Sequence, residues 1–420
     1  MQSGILKNVA KLLAANIIAQ IIGFLVYPIL TRLYVPEDFG VLNLFLAIAG
    51  VATIFSTAEY QNAILLPQSD KSGAACFHVG LAITLAVGAI SALAVPFAEE
   101  ISALFNVPEI TDFIWLLPIY IIIISLWTLL NYWYTRCKRF TAVSSYLLTQ
   151  CTASAGLKWS FYYVIQNGAM IIGTVCAQAA AVAVSIAANF KSALKPLLSI
   201  DRTECRLMAR QYANFPKFAM PRAVVNYLSS NLMILLLTPF FSLSDIGFLG
   251  MALTLSLTPT LLIIRSVYQV FFQNTAERVQ RRESILPFFR QLSLRTILFV
   301  APLFVALYFV LPQLTALILG DGWEASGTYI QAFLPWIFTT IMVGPISYLT
   351  DIFAKQKIEL ILEITTFVLR LASLVAGILA NDFFLAILCY SLASCTTRIA
   401  QLIWYQHLIG QYEKSIQAGA

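Results

Sequence analysis

Apolar stretches of about 20 residues recur along this chain, the length a helix needs to cross ~30 Å of hydrocarbon. Short polar or proline-marked breaks separate them. Twelve can be placed: 11–31, 40–58, 77–97, 113–134, 142–164, 169–190, 219–241, 247–272, 294–314, 327–349, 357–379 and 383–406. The pattern predicts an all-α polytopic membrane protein of 12 transmembrane helices. Internal Pro or Arg interrupts the first, seventh and eighth stretches. Such breaks are tolerated where a helix lines a watery interior.

The polar breaks alternate in charge. Lys7, Lys11, Lys71, Arg136, Lys138, Arg139, Lys191, Lys195, Arg202, Arg206, Arg210, Arg278 and Lys414 are among the many cations on one side. The other side carries Arg32 and a series of acids that includes Glu37, Asp38, Glu99, Glu100, Glu109 and Asp245. Lys and Arg gather on the cytoplasmic face, so both termini are expected to be cytoplasmic, which requires an even number of spans. The longest breaks, 191–218 and 273–293, then also face the cytoplasm. Within the first, residues 201–214 read either as an interfacial helix or as a solvated linker.

Composition agrees with this class. The 420 residues are 60% hydrophobic and 11% charged, against roughly 45–50% and 25% in soluble domains. The net charge of +6 lies in short loops, so no nucleic-acid partner is expected. The sequence lacks a GxxxxGK[ST] phosphate loop, which argues against ATP hydrolysis. Seven cysteines show no CxxC spacing, and the two histidines are His78 and His407. Neither a disulfide framework nor a metal centre is expected. Lys7 and Lys11 before an apolar run resemble a signal peptide. No small-residue cleavage site follows, so the run reads as an uncleaved first span.

The chain also repeats weakly. Asp38-Phe39-Gly40 is matched by Asp245-Ile246-Gly247, and Leu116-Leu117-Pro118 by Phe333-Leu334-Pro335. Six spans per half make the repeats parallel, with a site between them. The expected division is an N-terminal six-helix lobe over 1–190, a cytoplasmic linker over 191–218 and a C-terminal lobe over 219–420.

Five cations fall inside apolar stretches: Lys158, Arg222, Arg265, Arg370 and Arg398. Each costs at least ~2.5–3.5 kcal/mol at mid-membrane, so such residues usually face a cavity. Together they suggest a cationic cavity for an anion that crosses the bilayer, since Arg and Lys suit phosphate or carboxylate. Asn226 continues the polar face of Arg222, and Gln401 that of Arg398. Glu363 shares a face with Thr366 and Arg370. It serves either to balance an arginine or to titrate and couple transport to protons. Structural roles remain open beside these: Arg222 snorkelling to headgroups, Glu363 and Arg370 as an ion pair, Lys158 near an interface, and Arg398 pairing within the bundle. Trp115, Tyr120, Trp127, Trp133, Tyr134, Trp336 and Tyr348 read as an interfacial aromatic belt. Arg32 and Asp38 lie in a compact outer turn, where Arg32 either closes the cavity exit or pairs with a neighbouring acid.

The segment Thr31-Arg32-Leu33-Tyr34-Val35-Pro36-Glu37-Asp38-Phe39-Gly40, followed by Glu59-Tyr60-Gln61-Asn62-Ala63-Ile64-Leu65-Leu66-Pro67, resembles oligosaccharide flippases of the Wzx (O-antigen translocase) type. So does Gly320-Asp321-Gly322-Trp323-Glu324-Ala325-Ser326-Gly327-Thr328-Tyr329-Ile330, running into Leu334-Pro335-Trp336 and Gly344-Pro345-Ile346-Ser347. These belong to the polysaccharide-transporter branch of the multidrug/oligosaccharidyl-lipid/polysaccharide (MOP) exporter superfamily. The resemblance implies two six-helix lobes in the MATE-like fold, around a cationic lumen in the bacterial inner membrane. It implies movement of an undecaprenyl-diphosphate-linked oligosaccharide to the periplasmic face, driven by a proton or sodium gradient and without a bound cofactor. Polymerase and glycosyltransferases of the same pathway would be partners. Two alternatives stand beside it: a cation-coupled multidrug exporter of the same superfamily, and a polysaccharide polymerase or ligase. The exporter would favour acidic and aromatic cavity residues. The enzyme would need a sizeable outward loop bearing catalytic groups, whereas the outward loops here are short.

Overall fold

The computed structural model describes the backbone of residues 2–165, 167–353 and 355–418. Side chains are described in those segments except at 2–16, 265, 266, 269, 270, 273, 288, 292, 295, 356 and 418. Among the described residues there is no strand, and 12 helices reach 18 residues or more. They are α1 Gln2–Leu33, α2 Pro36–Thr57, α3 Asp70–Ala92, α4 Leu116–Arg136, α5 Phe140–Val164 and α6 Ala169–Asn189, then α7 Met220–Leu237, α8 Leu243–Gln280, α9 Leu286–Leu319, α10 Glu324–Val343, α11 Gln356–Leu379 and α12 Phe383–Ala418. Each of the 12 apolar stretches coincides with one of them. Among the described residues, nine stretches are long and apolar enough to cross a membrane, with Ile17–Leu33 as a shorter apolar helix. The chain is thus a multi-pass membrane protein.

The weak spans differ in part from expectation. The eighth qualifies over Leu243–Ile264, and the fifth does not. The reason is compositional: α5 carries Ser144, Ser145, Thr149, Gln150, Thr152 and Lys158 along its length.

Local chemistry sets the helix boundaries. Pro36 opens α2 with its fixed φ, and Asp38 accepts the Val35 N–H at 3.2 Å. Ser69 caps α3 by accepting the Ser72 N–H at 3.1 Å. A short helix, Arg202–Gln211, is capped by Asp201, which accepts from the N–H groups of Thr203 and Glu204 at 3.0 and 3.1 Å. The 201–214 segment is therefore helical over its first part.

By contacts the chain forms two units, Met1–Gly247 and Phe248–Ala420. In the first, α5 packs on α6 and α1, and α2 packs on α3, α4 and α7. The α3–α4 seam is close because α3 turns glycines toward α4. A Cβ on Gly80 would sit 2.6 Å from Leu129 Cδ2, and one on Gly88 would sit 2.5 Å from Ile122 Cγ1. Apolar contact gives little net drive between helices in lipid, so such small-residue seams let dispersion forces hold them. The unit's core gathers Ile64, Cys76, Trp127, Leu129, Trp133 and Tyr134. In the second unit, α10 packs on α9 and α12, and α11 on α12. Beyond its seam with α10, α9 leaves most of its surface open, with 6% of its apolar window buried and Leu298, Phe299, Leu303 and Phe309 all exposed.

The aromatic-belt expectation needs correction. Trp115 is 52% exposed, as a belt residue would be. Trp127, Trp133, Tyr134, Trp336 and Tyr348 are instead buried. Trp127 stacks on Tyr146 at 3.2 Å between centroids, and the Trp133 indole donates to the Ala193 carbonyl at 2.8 Å. Partners inside the bundle satisfy polar tips such as this one, which removes the reason to seek the interface.

Candidate functional site

Lys158 lies on α5, half-buried between α1 and α6. Its backbone carbonyl accepts the Tyr34 hydroxyl at 2.7 Å, tying the end of α1 to α5. Gly173 of α6 faces it: a Cβ there would lie 3.0 Å from Lys158 Cγ and 3.2 Å from its backbone nitrogen. Among the described residues no carboxylate offsets this ammonium. Tyr162, one turn on, packs edge-on against Tyr34 at 5.2 Å.

Arg222 and Asn226 are exposed on the first two turns of α7. Arg222 lines a cavity of ≈ 360 Å³ with Asn214, Phe215, Phe218 and Ala219. The π-helical turn Phe215–Ala219, which Pro216 opens, leads into α7 and shapes that cavity. The Asn226 carbonyl accepts the Ser230 hydroxyl at 2.9 Å, continuing the polar face.

The second unit brings Arg370 and Arg398 together. Arg370 on α11 is buried, and its Nε donates to Ser394 Oγ on α12 at 2.8 Å. Its guanidinium lies over Trp336 at 5.3 Å and Tyr390 at 4.9 Å, two cation–π contacts that offset part of its desolvation. Arg398 donates from Nη1 to Gln401 Oε1 at 2.7 Å, and Gln401 in turn donates to Tyr405 at 3.0 Å. The Nε of Arg398 is buried with no hydrogen-bond partner among the described residues. Arg398 also lines a cavity of ≈ 300 Å³ with Pro335, Phe338, Thr339, Met342 and Cys395. Glu363 is exposed on α11, within electrostatic range of Arg398 together with Glu359 and Arg370. Neutral groups thus hold Arg370, in place of the ion pair with Glu363 that helical spacing allowed. The Arg265 side chain lies outside the described residues.

The first turns of α2 and α8 meet within the first unit. A Cβ on Gly247 would overlap the Pro36 carbonyl, 2.7 Å from its carbon. A Cβ on Gly40 would overlap the Leu243 carbonyl, 3.2 Å from its carbon. The contact is reciprocal: each glycine meets the residue four before the other. Across the same turn Ser244 donates to Glu37, 207 residues away, the spacing that also separates Gly40 from Gly247. Asp38 completes the α2 turn, and Arg32, exposed at the end of α1, donates to the Pro28 carbonyl at 2.6 Å. The two Asp-x-Gly motifs therefore repeat in sequence and touch in space. The repeat is legible in the sequence and the contact is not. The aromatic cage around Arg370 is also hidden there, because the position of Trp336 near a span end suggests the interface.

Solved structures with the same fold are transporters. One is described as an inward-facing multidrug resistance MATE family transporter of the MOP superfamily (TM-score 0.63, 13% identity, 94% of this chain and 96% of that one). Another is the lipid II flippase MurJ in an inward closed conformation (TM-score 0.68, 13% identity, 97% and 90%). A third is the MATE multidrug transporter DinF-BH (TM-score 0.56, 16% identity, 95% and 95%). At these identities the likeness establishes the fold. No curated protein matches the sequence significantly. The profile of a family described as polysaccharide biosynthesis protein matches residues 29–328. The chain, which shares its fold with these transporters, belongs to the polysaccharide biosynthesis protein family.

Proposed function

We propose that this chain is a flippase of the bacterial inner membrane. It moves an undecaprenyl-diphosphate-linked oligosaccharide, an O-antigen or other surface repeat unit, from the cytoplasmic to the periplasmic leaflet by alternating access. Both termini are cytoplasmic, and the polymerase and glycosyltransferases of one pathway act on either side of it. The observation that carries this reading is the set of cations held inside apolar helices by neutral partners. Lys158 has no carboxylate beside it among the described residues, Arg370 is held by Ser394 and two rings, and Arg398 by Gln401. An anionic diphosphate would offset Lys158 and Arg370, which no carboxylate pairs with among the described residues, and Arg offers it a planar fork. Family membership supplies the polysaccharide context.

Arg222 and Asn226 receive the headgroup at the cytoplasmic end of α7. Lys158, Arg265, Arg370 and Arg398 provide further cationic contacts along its way. Glu363 balances Arg398 or carries the coupling proton or sodium ion. The α2–α8 turn with Arg32 and Asp38 is the periplasmic gate, and the glycan cannot leave until Gly40 and Gly247 part. The fold shared with MATE transporters supports a second reading, the export of small amphipathic drugs.

Deleting the gene and returning variants on a plasmid tests this. Flippase loss leaves no glycan outside, polymerase loss leaves single repeat units, and loss of a drug exporter leaves glycan intact while lowering drug resistance. Normal surface glycan in the deletion strain would overturn the proposal.

A further inference from the structure

The segment between α6 and α7 sorts its charges by direction. Its acids turn inward. Asp201 pairs with Lys71 at 2.8 Å and caps its own helix, while Glu204 accepts the Ser72 hydroxyl at 2.6 Å. Met208 is buried, and this face packs on α3. The Tyr60 hydroxyl bonds the Ala209 carbonyl at 2.8 Å, and His78 Nε2 lies 2.8 Å from the Leu197 carbonyl. The segment is therefore strapped to the first unit.

Its bases turn outward. Arg202, Arg206 and Arg210 lie on the outer side of the helix, all three exposed, and a four-residue step places them along one stripe. Lys191 and Lys195 flank them, both exposed. Large apolar side chains are exposed among these cations: Leu198 at 63%, Ile200 at 67%, Leu207 at 55% and Phe218 at 71%. A purely aqueous face would leave these four groups in water without recompense. A face of another soluble protein would not explain why the segment lies between the ends of two membrane-spanning helices.

We propose that this outward face binds the anionic phospholipid headgroups of the leaflet on its side, with the arginines on phosphates and Leu198, Ile200, Leu207 and Phe218 at the acyl boundary. Charge complementarity selects the occupant: the carboxylates of Asp201 and Glu204 are already engaged inward, so the outward field is of one sign. The proposal rests on the membrane-spanning reading and is independent of which cargo the chain moves.

Each Lys or Arg near an anionic surface contributes about 1 kcal/mol, so three arginines imply roughly 100-fold. The test uses the full chain purified in detergent micelles doped with phosphatidylglycerol or phosphatidylcholine, with bound lipid counted by native mass spectrometry. The triple variant R202Q/R206Q/R210Q should bind phosphatidylglycerol on the order of 100-fold more weakly, with phosphatidylcholine binding unchanged. Its thermal unfolding should match the parent, because glutamine keeps the polar stems that these positions present. A second variant, L198Q/L207Q, should weaken retention of both lipids. Equal phosphatidylglycerol binding by the triple variant and the parent would overturn the proposal. So would an equal loss of both lipids in the arginine variant, which would mean a general structural effect. Capture of a soluble acidic protein with lipid binding unchanged would also refute it. Failure here leaves surface-glycan complementation untouched, so the two readings fall separately.

Discussion

Substituting alanine for Gly247 is the most direct probe of the proposed gate. A methyl group there would overlap the Pro36 carbonyl and lie 2.7 Å from its carbon and 3.2 Å from its Cα. The opposing atoms are backbone, so no rotamer change relieves the overlap and one helix turn must move. Forcing one extra methyl into a close-packed contact costs typically ~1–3 kcal/mol. If the α2–α8 contact exists in one transport state and opens in the other, that cost falls on the closed state alone. The population then shifts toward the open state by roughly 5- to 150-fold. Cysteines at Glu37 and Ser244, whose side chains bond across the contact, report the closed state in a functional cysteine-free background. Oxidation of E37C/S244C should trap it and stop glycan export, and adding G247A should cut the cross-linking yield and its rate. Unchanged yield and unchanged export in the glycine variant would refute the gate, because the overlap would have been absorbed without separating the turns.

Further outcomes follow from the same geometry. Lys158→Met should lower surface glycan roughly 10- to 100-fold, the worth of one charge-assisted contact, while membrane insertion measured by immunoblot stays normal and Lys158→Arg restores part of it. Ser394→Ala leaves Arg370 Nε unpaired in a buried cage and should destabilise the second unit by about 1–3 kcal/mol, read from unfolding in detergent. Asp201 has its carboxyl held below the usual carboxylate range, first by its hydrogen bond with Lys71 and then by the Glu204 N–H. A depressed folded value means that docking of Arg202–Gln211 is strongest above the ordinary Asp range and weakens as pH falls through the folded value. Amide exchange of that helix, corrected for the intrinsic pH dependence of exchange, should show less protection in acid. Asp201→Asn should remove the acid-dependent step, and an identical profile in the variant would count against the assignment.

Hydrophobic periodicity exposes the fold well, because lipid leaves a crossing helix few alternatives. Each of the 12 stretches matches a helix, and the proline and capping signals at Pro36, Ser69 and Asp201 lie where the helices begin. The candidate site is only partly legible. Lys158, Arg370 and Arg398 stand out because a charge in an apolar run is conspicuous one residue at a time. What holds them depends on residues far along the chain: Ser394 lies 24 residues from Arg370, and Trp336 arrives from a different helix. Helical spacing puts Glu363 and Arg370 on one face, yet Arg370 turns toward α10 and α12 because the Trp336 ring on the first and the Tyr390 ring and Ser394 hydroxyl on the second are within reach. The polarity of the fifth span is easily overlooked beside its lysine, since Ser and Thr satisfy themselves by bonding back to the preceding turn, as Ser144 does to Phe140 at 3.0 Å and Thr152 to Leu148 at 2.8 Å.

The open face of α9 has a consequence for how this chain tolerates mutational drift. Leu298, Phe299, Leu303 and Phe309 are exposed on a helix apolar enough to cross a membrane, and where such side chains meet acyl chains, a liquid does not register the shape of what it surrounds. Leu, Ile, Val and Phe should interchange there with little penalty, while a single charge would be rejected. Selection would read α9 by its oiliness and Gly247 by its atom count, so two consecutive helices of one chain would age at very different rates.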